Sequence, residues 1–286
     1  MPSALGEAGE VRDEGSAPPA VALVEAETGR LRRTVATRSA IFVVYVAAVL
    51  VIWQYAVRWS HTTSVVLPTP TEVWHEIVTQ PHLLLTNTWV TSYESLVGLG
   101  ISLLLGVALA LVLAYWTWAS VTVLPTVIAL QAVPKVAVAP LIVIWFGLGV
   151  TSKIATVVSI CFFPIFMNTA RSLRTVEREY VDLVRGLHGT KWQLYRKIRV
   201  PWAIPSIATG LRIAVPFAML GAIITEFIAA QKGLGFVILS ASQNLQTPLT
   251  LAAIFFVTVA TGLFYAIAIA LERLVVRKFP IEAGRE

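Results

Sequence analysis

The chain has 286 residues, of which 57% are hydrophobic and only 13% charged, where about 45–50% and about 25% are usual for soluble domains. Its charges are clumped, so the stretches between them are long enough to cross a bilayer, at about 20 apolar residues per helix. The net charge of +6 comes with no basic–aromatic pattern, which argues against nucleic acid as a partner. The single cysteine, Cys161, excludes an intrachain disulfide.

Residues 1–38 carry Glu7, Glu10, Asp13, Glu14, Glu25 and Glu27 among Pro, Gly, Ala and Ser, and end on Arg30, Arg32, Arg33 and Arg38. A secretory signal starts basic and reaches an apolar core early. This segment is therefore read as a disordered cytoplasmic tail, with the first span behind it an uncleaved anchor. Six apolar runs follow: Ile41 to Trp59, Thr88 to Trp116, Val121 to Phe146, Ile154 to Met167, Ile204 to Ile228 and Leu249 to Leu271. They are continuously apolar, which excludes the alternating segments of a spanning barrel and the polar faces of a soluble bundle. The expected fold is an all-α integral membrane protein with six transmembrane helices in a domain over 39–275, and a C-terminal cytoplasmic tail over 276–286.

Between the first two runs, Leu67-Pro-Thr-Pro70 precedes a predicted short surface helix, Thr71 to Val78, with Thr71 as its cap. Between the last two runs lie Gly233-Leu-Gly235 and Pro248. Both connections are lid-sized pieces, too short to fold as domains. Basic residues fix the orientation. The N-terminal tail, segment 171–199 and the C-terminal tail carry 17 of them, against three (Arg58, Lys153, Lys232) on the other side. Both termini and segment 171–199 are thus placed in the cytoplasm, with the basic clusters against anionic lipid.

Segment 175–200 is the most informative. Val176, Tyr180, Leu183, Val184 and Leu187 form one apolar helical stripe, with Arg178, Glu179, Asp182 and Arg185 on the other side. His188-Gly189-Thr190 breaks this helix; Trp192, Tyr195 and Ile198 make a second apolar row, and Pro201 and Pro205 open the next span. The pattern alone admits an interfacial helix lying on lipid or a knob that fits a groove on a cytoplasmic partner.

This segment resembles the cytoplasmic coupling loop of bacterial binding-protein-dependent ABC importer permeases. Registered on Pro201, Asp182 takes the acidic position of that pattern, Ile198 and Val200 the aliphatic positions, and His188 the position of the glycine. Leu183 and Val184 replace a pair of small residues, and Gly189 is expected to supply the left-handed turn one place late. Further pieces resemble the nitrate, sulfonate, taurine and pyrimidine-precursor branch of these permeases: Pro134 to Leu141, Trp145-Phe-Gly-Leu-Gly149, Phe163-Pro164, Asn168-Thr169, Pro205-Ser-Ile207, Gly210-Leu-Arg212, Glu226 and Gly233-Leu-Gly235. Together they cover roughly residues 85–275.

The resemblance implies a type I importer permease in a plasma or inner membrane. Two copies would form the pathway, two cytoplasmic ABC ATPases would bind the coupling helices, and an extracytoplasmic solute-binding protein would deliver the solute. Val176, Glu179, Tyr180, Asp182, Leu183, Leu187, Gly189 and Trp192 would couple to the ATPases. ATP and Mg would belong to those partners, leaving this chain without a cofactor, metal or catalytic residue. Gly186-Leu-His-Gly189-Thr-Lys191 does not make a phosphate-binding loop, which needs Gly-Lys-Ser/Thr after a strand. His61, His75, His82 and His188 lack metal-ligand spacing.

Ionisable or polar groups inside the apolar runs are costly, so Glu94, Gln131, Lys135, Asn168, Arg212 and Glu226 are the candidates to line a pathway. Structural ion pairs between helices, or snorkelling to an interface, are the alternative. Pro125, Pro134 and Pro140 interrupt the third run, as helices along transport paths are often interrupted. Gly98, Gly100, Gly106 and Ala108 suit close helix packing. Lys135 after Pro134, and Glu94 before Leu96-Val-Gly98, look more like permeases for vitamin precursors such as hydroxymethylpyrimidine or riboflavin than like alkanesulfonate permeases. Sulfonate, taurine or nitrate is the alternative cargo, and a secondary carrier or channel the rival class.

Overall fold

The computed structural model describes residues 41, 43–60 and 63–278; the expected tail over 1–38 lies outside them, as do residues 279–286 of the C-terminal tail. All regular structure among the described residues is helical. The chain divides into two compact units at Ser60. In the first, α1 (Val43–Trp59) is a short apolar helix.

Among the described residues, the second unit contains ten helices. They are α2 (Pro70–Thr79), α3 (Pro81–Tyr115), α4 (Thr117–Leu130), α5 (Lys135–Phe146), α6 (Val150–Arg174), α7 (Arg178–Gly186), α8 (Lys191–Leu194), α9 (Val200–Ala229), α10 (Leu234–Gln243) and α11 (Thr247–Lys278). A π-helical turn, Tyr195–Arg199, joins α8 to α9, so that Lys191–Ala229 is one helical rod of 39 residues. Pro201 lacks an N–H, and Val200 N–H reaches back to the Tyr195 carbonyl in a π-type bond. Four helices, α3, α6, α8–α9 and α11, are long and apolar enough to cross a membrane.

The core is α6 held between α3 and α9. Leu99, Val157, Cys161, Ile165, Ala214, Val215, Ala218 and Ala222 pack as one cluster, and Leu113, Phe166, Ala170, Leu173 and Ala203 belong to a second. Small residues set the spacing. A Cβ on Gly98 would fall 2.5 Å from Val157 Cγ1, and one on Gly106 3.2 Å from both Ile165 Cγ2 and the Phe166 nitrogen. Gly210 and Gly221 on α9 do the same against Ile165 and Val157, so both neighbours approach the α6 backbone closely. Gly100 and Ala108 do not share this role; Gly100 has nothing within 4 Å of its Cβ position and Ala108 is exposed.

The third apolar run is interrupted at one of its prolines: it breaks at Gln131–Pro134 into α4 and α5, with Pro134 as the extended N-cap of α5. Proline disfavours helical dihedrals in the residue before it and cannot donate back into the preceding turn. Two other expectations are corrected. The fourth helix starts at Val150, so Lys153 is inside it and buried. The cap of α2 is Thr69, two residues before the expected Thr71. Pro70 fills the first helical position, and Thr69 forms a capping box with Glu72.

Candidate functional site

Two groups of polar residues are built by this fold, one at each end of α9. The first surrounds the N-terminus of α10, whose opening N–H groups have no partners within the helix. Here three side chains on two neighbouring helices, α3 and α9, supply acceptors. Gly233 N–H donates to Asn87 Oδ1 at 2.7 Å, Leu234 N–H to Thr91 Oγ1 at 2.8 Å, and Gly235 N–H to Glu226 Oε2 at 2.6 Å. Thr91 Oγ1 donates in turn to Glu226 Oε1 at 2.8 Å. The Glu226 carboxylate thus sits at the positive end of a helix with donors on both oxygens. Gly233 has φ +116°, and any Cβ there would collide with that carboxylate, so only glycine fits.

Beside this cap, Lys153 Nζ lies 2.7 Å from Glu94 Oε1, with side chains 8% and 1% exposed. The ammonium also donates to the Lys232 carbonyl at 3.3 Å. Glu94 and Lys153 line a cavity of about 560 Å³ with Trp89, Tyr93, Leu148 and Lys232.

The six candidate pathway residues therefore separate. Glu94 and Glu226 are both buried, the first paired with Lys153 and the second in the α10 cap. Arg212 pairs with Glu272 on α11, Nε to Oε2 at 3.1 Å, aligned as an ion pair and not as a hydrogen bond. Thr209 Oγ1 donates to the other Glu272 oxygen at 2.7 Å. Lys135 Nζ stands 4.2 Å over the Phe163 ring, a cation–π contact that ties α5 to α6. Asn168 Nδ2 donates to the Pro164 carbonyl of its own helix at 2.7 Å. Gln131 is exposed in the α4–α5 break. Asn87, Thr91, Lys153 and Glu272 complete these arrangements, and the sequence reading did not single them out as site residues. Lys153 and Glu272 each lie one residue beyond an expected span end, so a wider window on each run exposes them.

The second group is the α7–α8 segment. Glu179 in the first turn of α7 and Arg185 in the last complement the helix dipole. Asp182 and Arg185 form an exposed pair at 3.6 Å, too open to matter much for stability. Tyr180, Leu183 and Leu187 make an exposed apolar row, the two leucines 60% and 74% accessible. Val176 is not on this helix. Alpha6 runs on to Arg174 and α7 begins at Arg178, so 175–177 form the connection between them.

The turn after α7 also differs from expectation. The left-handed residue is His188, with φ 56°, and Gly189 is not among the residues with positive φ. Gly189 N–H donates to the Val184 carbonyl and His188 N–H to the Arg185 carbonyl, the two bonds of a Schellman cap with His188 at the left-handed position. The family's glycine position is therefore the left-handed one here too, occupied by a residue type that tolerates it better than most. Gly189 is needed for space instead. A Cβ there would lie 2.5 Å from Val184 Cγ1 and 2.8 Å from the Val184 carbonyl oxygen.

Thr190 then opens α8 in a capping box with Gln193. Trp192 stacks on Tyr195, with centroids 5.9 Å apart, and both rings meet Tyr115 edge-on. Tyr195 Oη donates to the Leu111 carbonyl at 2.6 Å. The segment is thereby anchored to the end of α3.

A family model described as the binding-protein-dependent transport system inner membrane component matches residues 102–280. The chain belongs to this family. A probable ABC transporter permease of Haemophilus influenzae is 34% identical over 231 residues, covering 80% of this chain and 94% of the relative. A riboflavin transport system permease of Chloroflexus aurantiacus is 35% identical over 232 residues, covering 80% and 86%. A formylaminopyrimidine transport permease of Halalkalibacterium halodurans is 34% identical over 226 residues, covering 79% and 90%. The chain is a multi-pass membrane permease component of an ABC transport system.

Proposed function

We propose that this permease carries a small heteroaromatic vitamin precursor, of the hydroxymethylpyrimidine or riboflavin kind, from an extracytoplasmic binding protein into the cytoplasm. Six spans make the membrane domain over 39–275: α1, α3, the α4–α5 pair, α6, α9 and α11. Both termini face the cytoplasm of a cell whose inner or plasma membrane holds the protein. Two copies form the pathway and two ABC ATPases, which hold ATP and Mg, drive it; this chain has no ATPase site of its own. Val176, Glu179, Tyr180, Asp182, Leu183, Leu187, Gly189 and Trp192 form the surface that meets the ATPase.

The observation that carries the coupling assignment is the exposed row Tyr180–Leu183–Leu187 on a helix closed by its own cap, followed by a turn that Trp192 and Tyr195 brace on α3. An exposed apolar row on a capped helix suits entry into a groove on a partner. Support for the cargo comes from the riboflavin and formylaminopyrimidine permeases, at 35% and 34% identity. The alternative, a sulfonate or taurine cargo with nitrate in the same class, has its support in permeases at 28% and 29%. The deciding measurement is a thermal-shift screen of the cognate binding protein against heteroaromatics, sulfonates and nitrate. Stabilisation by a pyrimidine or flavin is expected. Stabilisation by sulfonates or nitrate alone replaces the cargo and leaves the permease assignment standing.

A further inference from the structure

Arg212 on α9 and Arg273 and Arg277 on α11 line one cleft of about 440 Å³, with Glu272, Ile269 and Val276. Glu272 is the only carboxylate in that lining and is already engaged by Arg212 and by Thr209. Three guanidiniums against one carboxylate leave a charge of +2. Arg273 and Arg277 are exposed and in no ion pair among the described residues. They are one helical turn apart, so both point into the cleft that Arg212 closes from the other side.

The depth of the cleft names the ligand. Alpha11 has no Asp, Glu, Lys or Arg from Thr247 to Leu271, a run of about 37 Å at 1.5 Å per residue, enough for a hydrocarbon core of about 30 Å. Glu272, Arg273 and Arg277 therefore lie where the apolar run ends, at the level of lipid phosphates. Among the four long helices α11 is also the least buried in the bundle, 11% against 33–44%, and Phe255, Thr258, Gly262, Tyr265 and Ala266, on the same side of the helix as the cleft, are exposed. A ligand reaching the cleft along this surface has acyl chains below and a negative head above.

We propose that the α9–α11 cleft is a binding site for an anionic phospholipid headgroup. Arg273 and Arg277 hold the phosphate, and Arg212 is held in place for it by Glu272 and Thr209. Basic clefts between spanning helices at this depth suit such headgroups, because guanidinium offers paired donors to phosphate oxygens.

The test uses the full chain purified in detergent and native mass spectrometry with phosphatidylglycerol and phosphatidylcholine of the same acyl chains. Wild type should retain phosphatidylglycerol in preference to phosphatidylcholine. The pair Arg273→Gln/Arg277→Gln should lose that preference by about tenfold or more. A control pair that removes the same charge elsewhere, Arg171→Gln/Arg174→Gln, should keep it. No preference in wild type, or equal loss in both pairs, overturns the proposal. Displacement of bound phosphatidylglycerol by millimolar inorganic phosphate also overturns it, in favour of a soluble phosphate site. All four substituted arginines are exposed, and unchanged thermal unfolding of each variant keeps the comparison valid.

Discussion

Replacing Lys153 with Met is expected to destabilise the bundle by about 3–5 kcal/mol, the usual result of breaking a buried ion pair from one side. At 2.7 Å the attraction between the two charges is on the order of 6 kcal/mol at an effective dielectric of about 20. Removing both ions from water offsets most of that, so the intact pair adds little net stability. Half a pair is another matter. Among the described residues Glu94 Oε2 already has no hydrogen-bond partner, and without Lys153 the carboxylate at 1% exposure loses the cation it pairs with. Methionine keeps the volume of the lysine stem, so the loss is electrostatic and not a cavity. The single cysteine gives the assay. Cys161 is fully buried and reacts with a fluorogenic maleimide only as the bundle opens. At roughly 2–4 °C per kcal/mol for a chain of this size, Lys153→Met should melt about 10 °C early. The double variant Glu94→Gln/Lys153→Met should regain most of the difference, because a neutral amide needs no counter-charge. A single variant that melts within about 2 °C of wild type, or a double variant no better than the single, refutes the reasoning.

Thr91→Val removes both the acceptor of Leu234 N–H and the donor to Glu226, and should cost about 2–4 kcal/mol; faster hydrogen exchange at the Leu234 amide checks the cause. His188→Gly should gain a few tenths to about 1 kcal/mol by removing left-handed strain, less the added freedom of the unfolded chain. Gly189→Ala should lose roughly 1–3 kcal/mol, since its Cβ meets the Val184 carbonyl. Exchange rates at the His188 and Gly189 amides order these two, and the reverse order sinks the cap assignment. Leu183→Asp should abolish co-purification with the ATPase while leaving thiol reactivity unchanged, because Leu183 is exposed in the isolated chain. Retained co-purification removes that leucine from the interface.

Hydropathy placed the long helices well, because a continuous apolar run in a membrane protein has few alternative structures. Their ends were harder. Lys153 was read as a charge outside its span, since a lysine normally ends an apolar window; only its pairing with Glu94 lets it lie inside. The α4–α5 break was foreshadowed by Pro134, but a proline inside a run fits a kink and a break equally well. Glu226 stood out as a carboxylate in an apolar run, yet its work in capping α10 depends on Asn87 and Thr91, about 135 to 140 positions away in sequence. Nothing local announces such partners. At the turn between α7 and α8 the sequence pattern is sound and the inference from it is not. Gly189 was taken as the turn residue because glycine is the usual occupant, whereas the backbone keeps the family register and strains His188.

The rod from Lys191 to Ala229 joins these two places. Its 39 residues make it about 57 Å long, with the aromatic anchor to α3 near one end and Glu226 near the other. Treated as a stiff lever, a tilt of about 5° at the Lys191 end carries the far end by about 5 Å, well beyond the reach of a hydrogen bond. A stiff rod would therefore couple the α10 cap to the α7–α8 turn. Either they move together, or the slack is taken up where the shaft is softest, at the π-helical turn before Pro201 and at Pro205 and Pro216.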